Sequence, residues 1–336
     1  MRWFPLLALA SLVFGLSACG GDKETKTESP IRENSVQVVK YAGSKWYGHA
    51  PVWVGIEKGI FKRAGFEVEL VQGGSSAQRI DLLVSDSAHF SSLGQVAMLS
   101  AMDKGVKGFY WIGNQNTAPG NEGVVARAGI SKIEDLKGKR VALSMVTSVH
   151  ITMADLLKQV GLSIKDVEVV QAQQEEIVSL LEKGSVEAGV IWEPFFTDLK
   201  GVEGTTLLAT DKDTTIFKEY GTMTGPDVVC VSRKWLDSDK ERAKRFFAAY
   251  FEAVQWCADN SEELIAIVAR HSGKEGKEAE VRLAMANFEW LPLAKQPDTL
   301  GRLVKQSAMV ADLLQEMEVM NSKPKVEDWL YLDLYR

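Results

Sequence analysis

Short β-rich segments alternate with amphipathic helical segments from residue 35 to residue 232. Strand–helix–strand repetition places successive strands side by side through helical crossovers, so the pattern predicts an α/β fold with parallel sheets. The predicted strands are residues 35–42, 66–72, 88–94, 122–128, 139–144, 167–172, 188–193 and 227–232. The predicted helices include residues 50–65, 75–86 and 151–161.

Beyond residue 235 the alternation gives way to helical segments at 239–260, 261–273 and 299–317. In the first of these, apolar residues recur at three- and four-residue spacing, which is typical of an amphipathic helix. We expect these helices to pack against the α/β body instead of forming a separate functional domain. The hydrophobic fraction of 46% is ample for two cores.

The N-terminus has the pattern of a lipoprotein signal peptide. A single basic residue, Arg2, precedes an apolar run that ends in Leu16-Ser17-Ala18-Cys19. This run is shorter than the roughly 20 apolar residues that a spanning helix needs. We therefore predict a signal peptide at 1–18, acylation of Cys19 to anchor the protein in a lipid bilayer, and a flexible tether at 19–35. The alternative is an ordinary secretory signal.

Charge and cysteine content exclude several classes of function. The chain carries a net charge of −6, which removal of residues 1–18 changes to −7, so a cationic groove for nucleic acid is not expected. Besides Cys19 there are only Cys230 and Cys257, which either pair or remain as buried thiols. We expect no metal site, no cofactor and no catalytic residues, since the sequence contains no nucleophile or phosphate-binding motif.

Several fragments occur in a characteristic order: residues 50–52, 57–61, 73–76, 130–139 and 191–194. With them the chain resembles the nitrate/taurine/alkanesulfonate class of periplasmic solute-binding proteins, the NMT1/THI5-like group, from about residue 36 to about residue 330. The resemblance implies a two-lobed periplasmic-binding-protein-like II fold, in which two doubly wound sheets are joined by two crossing strands.

On this analogy lobe 1 comprises residues 36–125 and 229–336, and lobe 2 comprises residues 126–228. The crossing strands would be 122–128 and 227–232, with a small solute bound in the cleft between the lobes. Closure of the lobes would present a surface to the permease of an ABC importer and its ATPase. The implied protein is a monomer that faces the periplasm or the cell exterior.

Candidate solute contacts follow the carboxyl ends of predicted strands, where ligands bind in open α/β sheets. Neutral donors in these loops could bind an oxyanion such as a sulfonate without a salt bridge. The Ser75 and Thr147 hydroxyls could instead serve only as helix caps. The loop candidates are Gly74, Ser75, Ser76, Leu93, Gln95, Thr147, Ser148 and His150.

Aromatic candidates are Trp46, Tyr47 and His49, in a loop that lines the cleft in the family, and Trp192. Their rings could stack on an organic solute or an ammonium group, or pack on the lobe surface. The neighbouring Glu193 could bind the solute or merely hold its own loop.

Two acidic residues, Glu122 and Asp227, begin the predicted crossing strands. A carboxylate that faced the ligand would repel a simple anion, and its burial would be costly without a cationic partner. An inward-facing Asp227 would therefore indicate a solute with both an amine and an acid, as the resemblance to the taurine-binding branch implies. The alternative is that both carboxylates pair with an Arg or Lys of a lobe.

Three alternatives remain open. The ligand could be another of this class, such as nitrate, a pyrimidine or a flavin. The chain could be a sensor lipoprotein on the same fold. It could also be an enzyme, although the pyrimidine-synthesis relatives use a cysteine-rich loop that this sequence lacks.

Overall fold

The computed structural model describes residues 36–335, so the predicted signal peptide, Cys19 and tether lie outside the described residues. The strands are β1 (Gln37–Gly43), β2 (Phe66–Gln72), β3 (Phe90–Gly94), β4 (Phe109–Gly113), β5 (Asn116–Thr117), β6 (Glu122–Arg127), β7 (Arg140–Leu143), β8 (Glu168–Gln171), β9 (Ala188–Trp192), β10 (Thr205–Thr210), β11 (Asp227–Ser232) and β12 (Glu289–Trp290).

Helices flank these strands and dominate the C-terminal third. They are α1 (Ala50–Glu57), α2 (Ile60–Arg63), α3 (Ser76–Val84), α4 (Gln95–Asp103), α5 (Ser148–Gln159), α6 (Gln174–Glu182), α7 (Phe195–Lys200), α8 (Thr215–Tyr220), α9 (Arg233–Ser238), α10 (Lys240–Asp259), α11 (Ser261–Ser272), α12 (Glu278–Ala284) and α13 (Gln296–Glu316). No helix within residues 36–335 is both long enough and apolar enough to cross a membrane.

Two five-stranded sheets form the α/β body. The first has the order β2-β1-β3-β11-β4 and the second the order β10-β6-β9-β7-β8. The chain passes from the first sheet to the second through residues 114–121, and returns through residues 211–226. The lobe limits predicted from the sequence fall inside β6 and β11, and they remain a prediction.

The expectation of purely parallel sheets is wrong for the two crossing strands. β11 is antiparallel to both β3 and β4, and β6 is antiparallel to both β9 and β10. Each of these strands arrives from the other sheet, so the right-handed crossover that makes neighbours parallel within one sheet does not apply to it. As a result, β11 begins at the edge of the first sheet where its parallel strands end, and β6 begins at the corresponding edge of the second sheet.

The predicted helix at 50–65 is also divided in two. Gly59 adopts a left-handed backbone conformation, with φ of 64°, between α1 and α2. An L-residue with a side chain rarely adopts this conformation, so the glycine permits the break.

The C-terminal helices pack on the first sheet, as predicted. The ring of Phe246 in α10 lies 4.9 Å from that of Phe90 in β3 and 5.2 Å from that of Phe66 in β2. A fully buried Phe side chain contributes about 1.5–3 kcal/mol through the hydrophobic effect. Cys230 and Cys257 are both free and buried in this part of the chain.

Candidate ligand-binding site

The carboxyl ends of β1, β2 and β3 meet at one edge of the first sheet, and antiparallel β11 begins at the same edge. Asp227, the first residue of β11, pairs with Gly94, the last residue of β3. Trp46, in the loop after β1, donates a hydrogen bond from Nε1 to Asp227 Oδ2 over 2.5 Å. Two predicted site residues separated by 181 positions therefore meet directly.

The close approach of Trp46 and Asp227 depends on Gly48. A β-carbon at Gly48 would lie 2.4 Å from Trp46 Nε1 and 2.6 Å from Asp227 Oδ2. Both distances are too short for any residue with a side chain to replace this glycine. The Trp46 ring stacks on that of Tyr47 at 6.2 Å and lies 5.7 Å from that of Phe288. The aromatic loop is thus held in place from both sides.

Asp227 is half-buried as a residue, and its carboxyl has a raised pKa. Burial is the main cause of this rise, whereas the positive charge of Arg79 and the hydrogen bond from Trp46 act to lower the pKa. Asn114 Nδ2 donates to the main-chain oxygen of Asp227. Within the described residues no cation lies in ion-pair contact with the Asp227 carboxylate, and Oδ1 accepts no hydrogen bond.

The loop after β2 contains Gly74, Ser75 and Ser76. The Ser75 hydroxyl accepts a hydrogen bond from Gln78 N over 3.1 Å, which confirms its predicted role as the cap of α3. Gly74 N donates to Gln78 Oε1 over 2.9 Å. Ser76 Oγ accepts a hydrogen bond from Gly94 N over 3.0 Å, so it ties the ends of β2 and β3 together.

His49 and Tyr47 are almost entirely buried, with 1% and 2% of their surface exposed. Ser44 N donates to His49 Nδ1 over 2.9 Å. Desolvation, followed by the charge of Arg79, holds the pKa of His49 well below its usual value, so the imidazole is neutral. Both side chains support the loop from beneath.

Leu93 and Gln95 do not face the cleft with their side chains. Leu93 is fully buried in the apolar core beneath the first sheet. Gln95 is equally buried, and its Nε2 donates to Ser307 Oγ in α13 over 3.0 Å. Both side chains thus pack in the interior, and their contact with a solute stays a prediction.

The corresponding edge of the second sheet brings together the other predicted residues. Glu122, the first residue of β6, pairs with Trp192, the last residue of β9. The loop after β7, with Thr147 and Ser148, leads into α5 at the same edge.

Glu122 is fully buried, and its carboxyl is satisfied by three hydroxyls. Ser148 Oγ donates to Oε2 over 2.5 Å, Thr224 Oγ1 donates to Oε1 over 2.8 Å, and Thr152 Oγ1 also donates to Oε1. Desolvation raises the pKa of Glu122, while these hydrogen bonds lower it. Glu122 thus holds the start of α5, and among the described residues no Arg or Lys forms an ion pair with it, so the alternative that it pairs with a cation is not met. Its contact with a solute stays a prediction.

Thr147 and His150 shape the entry to α5. Thr147 Oγ1 donates to Ser144 O over 2.6 Å, so its hydroxyl does not cap the helix as expected. Val146 N donates to His150 Nδ1 over 3.2 Å, and desolvation lowers the pKa of His150 to about 4. His150 is therefore neutral near pH 7, with its proton on Nε2.

Glu193 holds its own loop. Its carboxylate accepts hydrogen bonds from Thr197 N and Oγ1 over 3.0 and 2.8 Å. Its main-chain N–H donates to Asn121 O over 2.8 Å. The half-buried Trp192 packs against the core of the second sheet.

Residues 222–226 connect the two edges. Gln95 N donates to Pro226 O over 3.0 Å, and Thr224 Oγ1, whose proton goes to Glu122, lies 3.3 Å from Ser148 O. Since Asp227 follows directly, the start of α5 lies next to the loops of the first sheet.

A group of polar residues beneath Trp46 and Asp227 was not predicted from the sequence. Arg79 occupies the buried face of α3, and three amide residues at 114–116 follow β4. Arg79 could have been recognised from the sequence, because it lies on the same helix face as the apolar residues Ile80 and Leu83. Arg79, two of these amides and the nearby Tyr41 and His49 each have a buried polar atom without a hydrogen-bond partner in the described protein. These atoms are Tyr41 Oη, His49 Nε2, Arg79 Nε, Gln115 Oε1 and Asn116 Nδ2.

Known proteins match both the fold and the sequence. A crystal structure of the periplasmic aliphatic sulphonate binding protein SsuA from Escherichia coli superimposes with a TM-score of 0.73 at 18% identity, covering 89% of this chain and 99% of that one. The body is thus the two-lobed fold of the SsuA-type periplasmic binding proteins. A desulfurization enzyme, DszB, has a similar fold, with a TM-score of 0.65 at 15% identity over 89% of this chain and 97% of that one.

The chain belongs to the NMT1/THI5-like family, whose profile matches residues 46–264. It is 25% identical over 264 residues to a putative aliphatic sulfonates-binding protein of Bacillus subtilis, covering 77% of this chain and 75% of the relative. It is 26% identical over 266 residues to the taurine-binding periplasmic protein of Escherichia coli, covering 76% and 79%. These sequence relatives are binding proteins, not enzymes.

Proposed function

We propose that this chain is the solute-binding component of an ABC importer and captures an amino-sulfonate, taurine or a close relative, in its cleft. The observation that carries the proposal is the carboxylate of the half-buried Asp227, which has no cation in ion-pair contact and pairs with Gly94, whose N–H binds Ser76 in the serine loop after β2. Asp227 suits an ammonium group, and the donors suit an oxyanion.

The aromatic loop supports an ammonium at Asp227. Trp46 donates its Nε1 proton to Oδ2 and so leaves Oδ1 of the carboxylate for an ammonium group. The buried guanidinium of Arg79 donates from Nη2 to Ser76 Oγ, so a positive charge lies beside the loop proposed for the oxyanion, and the same charge acts on Asp227.

The relatives support the class of solute and the importer. A taurine-binding periplasmic protein and an aliphatic sulfonates-binding protein are both similar over about three quarters of this chain. We propose that the closed protein delivers its solute to a membrane permease with its ATPase. The sequence Leu16-Ser17-Ala18-Cys19 supports lipid anchoring to a bacterial membrane, facing the periplasm or the exterior, with residues 19–35 as the tether.

The substitution Asp227→Asn tests the position of the amine. It removes the charge but keeps the shape, so taurine should lose a charge-assisted contact of about 1.5–3 kcal/mol, roughly ten- to a hundredfold in affinity. Ethanesulfonate should lose nothing or bind more tightly, because the repulsion by the carboxylate is gone. Calorimetry with both ligands on both proteins measures the difference.

The matched control is Asp81→Asn, which removes an exposed carboxylate from the same lobe and should leave both affinities within a factor of about two. Parallel weakening of both ligands by Asp227→Asn would show that Asp227 is structural. Binding of nitrate, a pyrimidine or a flavin in place of both sulfonates would refute the proposed solute.

A further inference from the structure

The hydroxyl of Ser76 receives two hydrogen bonds from the protein. Gly94 N donates to Ser76 Oγ over 3.0 Å, and Arg79 Nη2 donates to the same atom over 3.0 Å. A serine hydroxyl has two acceptor positions and one proton to donate. Both acceptor positions are therefore in use.

The proton of Ser76 has no acceptor among the described residues, since Oγ appears there only as a hydrogen-bond acceptor. Ser76 is half-buried at the edge where the first sheet meets the proposed cleft. The hydroxyl can thus only donate to a group that enters from outside, and it cannot accept from one.

Arg79 is held firmly in this arrangement. Only 6% of its surface is exposed, and its Nη1 donates to Gly73 O over 2.8 Å. A β-carbon at Gly73 would lie 2.5 Å from Arg79 Cγ, so the glycine makes room for the side chain. Rotation of Arg79 away from Ser76 would leave a buried charge with fewer hydrogen bonds, which is costly.

We propose that Arg79 is a positioning residue that makes Ser76 a donor-only group for the oxyanion head of the solute, and so excludes heads that carry N–H groups. This inference rests on the proposed function and names the residue pair that sets its specificity. A sulfonate presents only acceptors, whereas a sulfonamide of nearly the same shape presents an NH₂ group. With its NH₂ group towards Ser76, a sulfonamide sets two donors against each other and leaves a buried polar group unpaired. With an S=O oxygen there, its NH₂ group takes the place of another sulfonate oxygen, so in either orientation it supplies one acceptor fewer than the sulfonate does.

The experiment compares two matched ligand pairs by calorimetry: taurine with 2-aminoethanesulfonamide, and ethanesulfonate with ethanesulfonamide. The measured quantity is the ratio of sulfonate to sulfonamide affinity. In the wild-type protein we expect the sulfonate to bind at least about tenfold more tightly than the sulfonamide. The reason is that an NH₂ group in place of an acceptor oxygen costs at least as much as one lost hydrogen bond. Ser76→Ala should lower the ratio several-fold, and Ser76→Thr, which retains a hydroxyl, should preserve it.

A double-mutant cycle tests the role of Arg79. Arg79→Met should lower the ratio in the wild-type background and should have no further effect in the Ser76→Ala background. A residue that acted only through its charge would lower the ratio by the same factor in both backgrounds, and this outcome would overturn the inference. If Arg79→Met does not fold, the two Ser76 variants still decide whether this hydroxyl discriminates between the heads.

Failure of the inference can be distinguished from failure of the proposed function. If the wild-type protein binds sulfonates and Ser76→Ala leaves the ratio unchanged, only the role of Ser76 and Arg79 is refuted. If the wild-type protein binds neither sulfonate, the proposed solute is refuted and the inference with it.

Discussion

Asp211, in the return connection between the sheets, should limit the stability of this protein near neutral pH. It is fully buried, and its Oδ1 accepts a hydrogen bond from Gly120 N over 2.6 Å, while Oδ2 has no hydrogen-bond partner in the described protein. Desolvation, and then the negative charge of Glu122, raise the pKa of Asp211 from 3.8 to about 8. The substitution Asp211→Asn removes the charge and retains an oxygen for Gly120.

The direction of the effect follows from proton linkage. The folded pKa of about 8 lies above the unfolded value of 3.8, so the folded state binds more protons between these limits and stability falls as pH rises through them. Each pH unit corresponds to about 1.4 kcal/mol, so ionisation of Asp211 in the unfolded chain, while the folded protein keeps it protonated, lowers stability by at most about 4 kcal/mol at pH 7. Asp211→Asn should therefore raise the free energy of unfolding by about 2–4 kcal/mol at pH 7 and by little near pH 4.

Urea unfolding between about pH 4 and pH 8 measures this difference as a function of pH. The control is Asp81→Asn, which removes an exposed carboxylate and should leave the pH dependence of the wild type unchanged. The reasoning is refuted if Asp211→Asn and the wild type lose stability in parallel from pH 5 to pH 8.

Two further predictions concern the anchor and the core. Cys19→Ser should release the protein from membranes or block its processing, as detected by fractionation and immunoblotting, whereas unchanged membrane association would contradict lipidation at Cys19. Phe246→Ala should lower the free energy of unfolding by about 3–5 kcal/mol, because the buried ring lies against Phe66 and Phe90. The exposed neighbour Arg245→Ala should change it by less than about 0.5 kcal/mol, and equal losses in urea unfolding would count against the assigned core.

Much of the site's location was predictable from the rule that ligands bind at the carboxyl ends of strands. Trp46, Ser76, Ser148 and Asp227 all lie at such edges. The same rule would have reached the amides at 114–116 if β4, which they follow, had been recognised as a strand. The side-chain direction was less predictable, because a residue at a strand end can point to the cleft or to the interior, as Leu93 does.

The sequence by itself determined the local elements of this protein. The strand predicted at 66–72 coincides with β2, and the periodicity of 239–260 matches α10 within a residue at each end. These features depend on the backbone preferences and apolar spacing of neighbouring residues, which a short stretch of sequence contains in full.

Only the tertiary structure decided how the site is assembled. The antiparallel direction of β6 and β11 arises from the passage between two sheets, which no local pattern encodes. The bond between Trp46 and Asp227 spans 181 positions, and the three hydroxyls around Glu122 come from two separate segments. Whether a buried carboxylate meets a cation, a hydroxyl or the open cleft depends on which distant residues the fold brings to it, and that sets both its charge and its role.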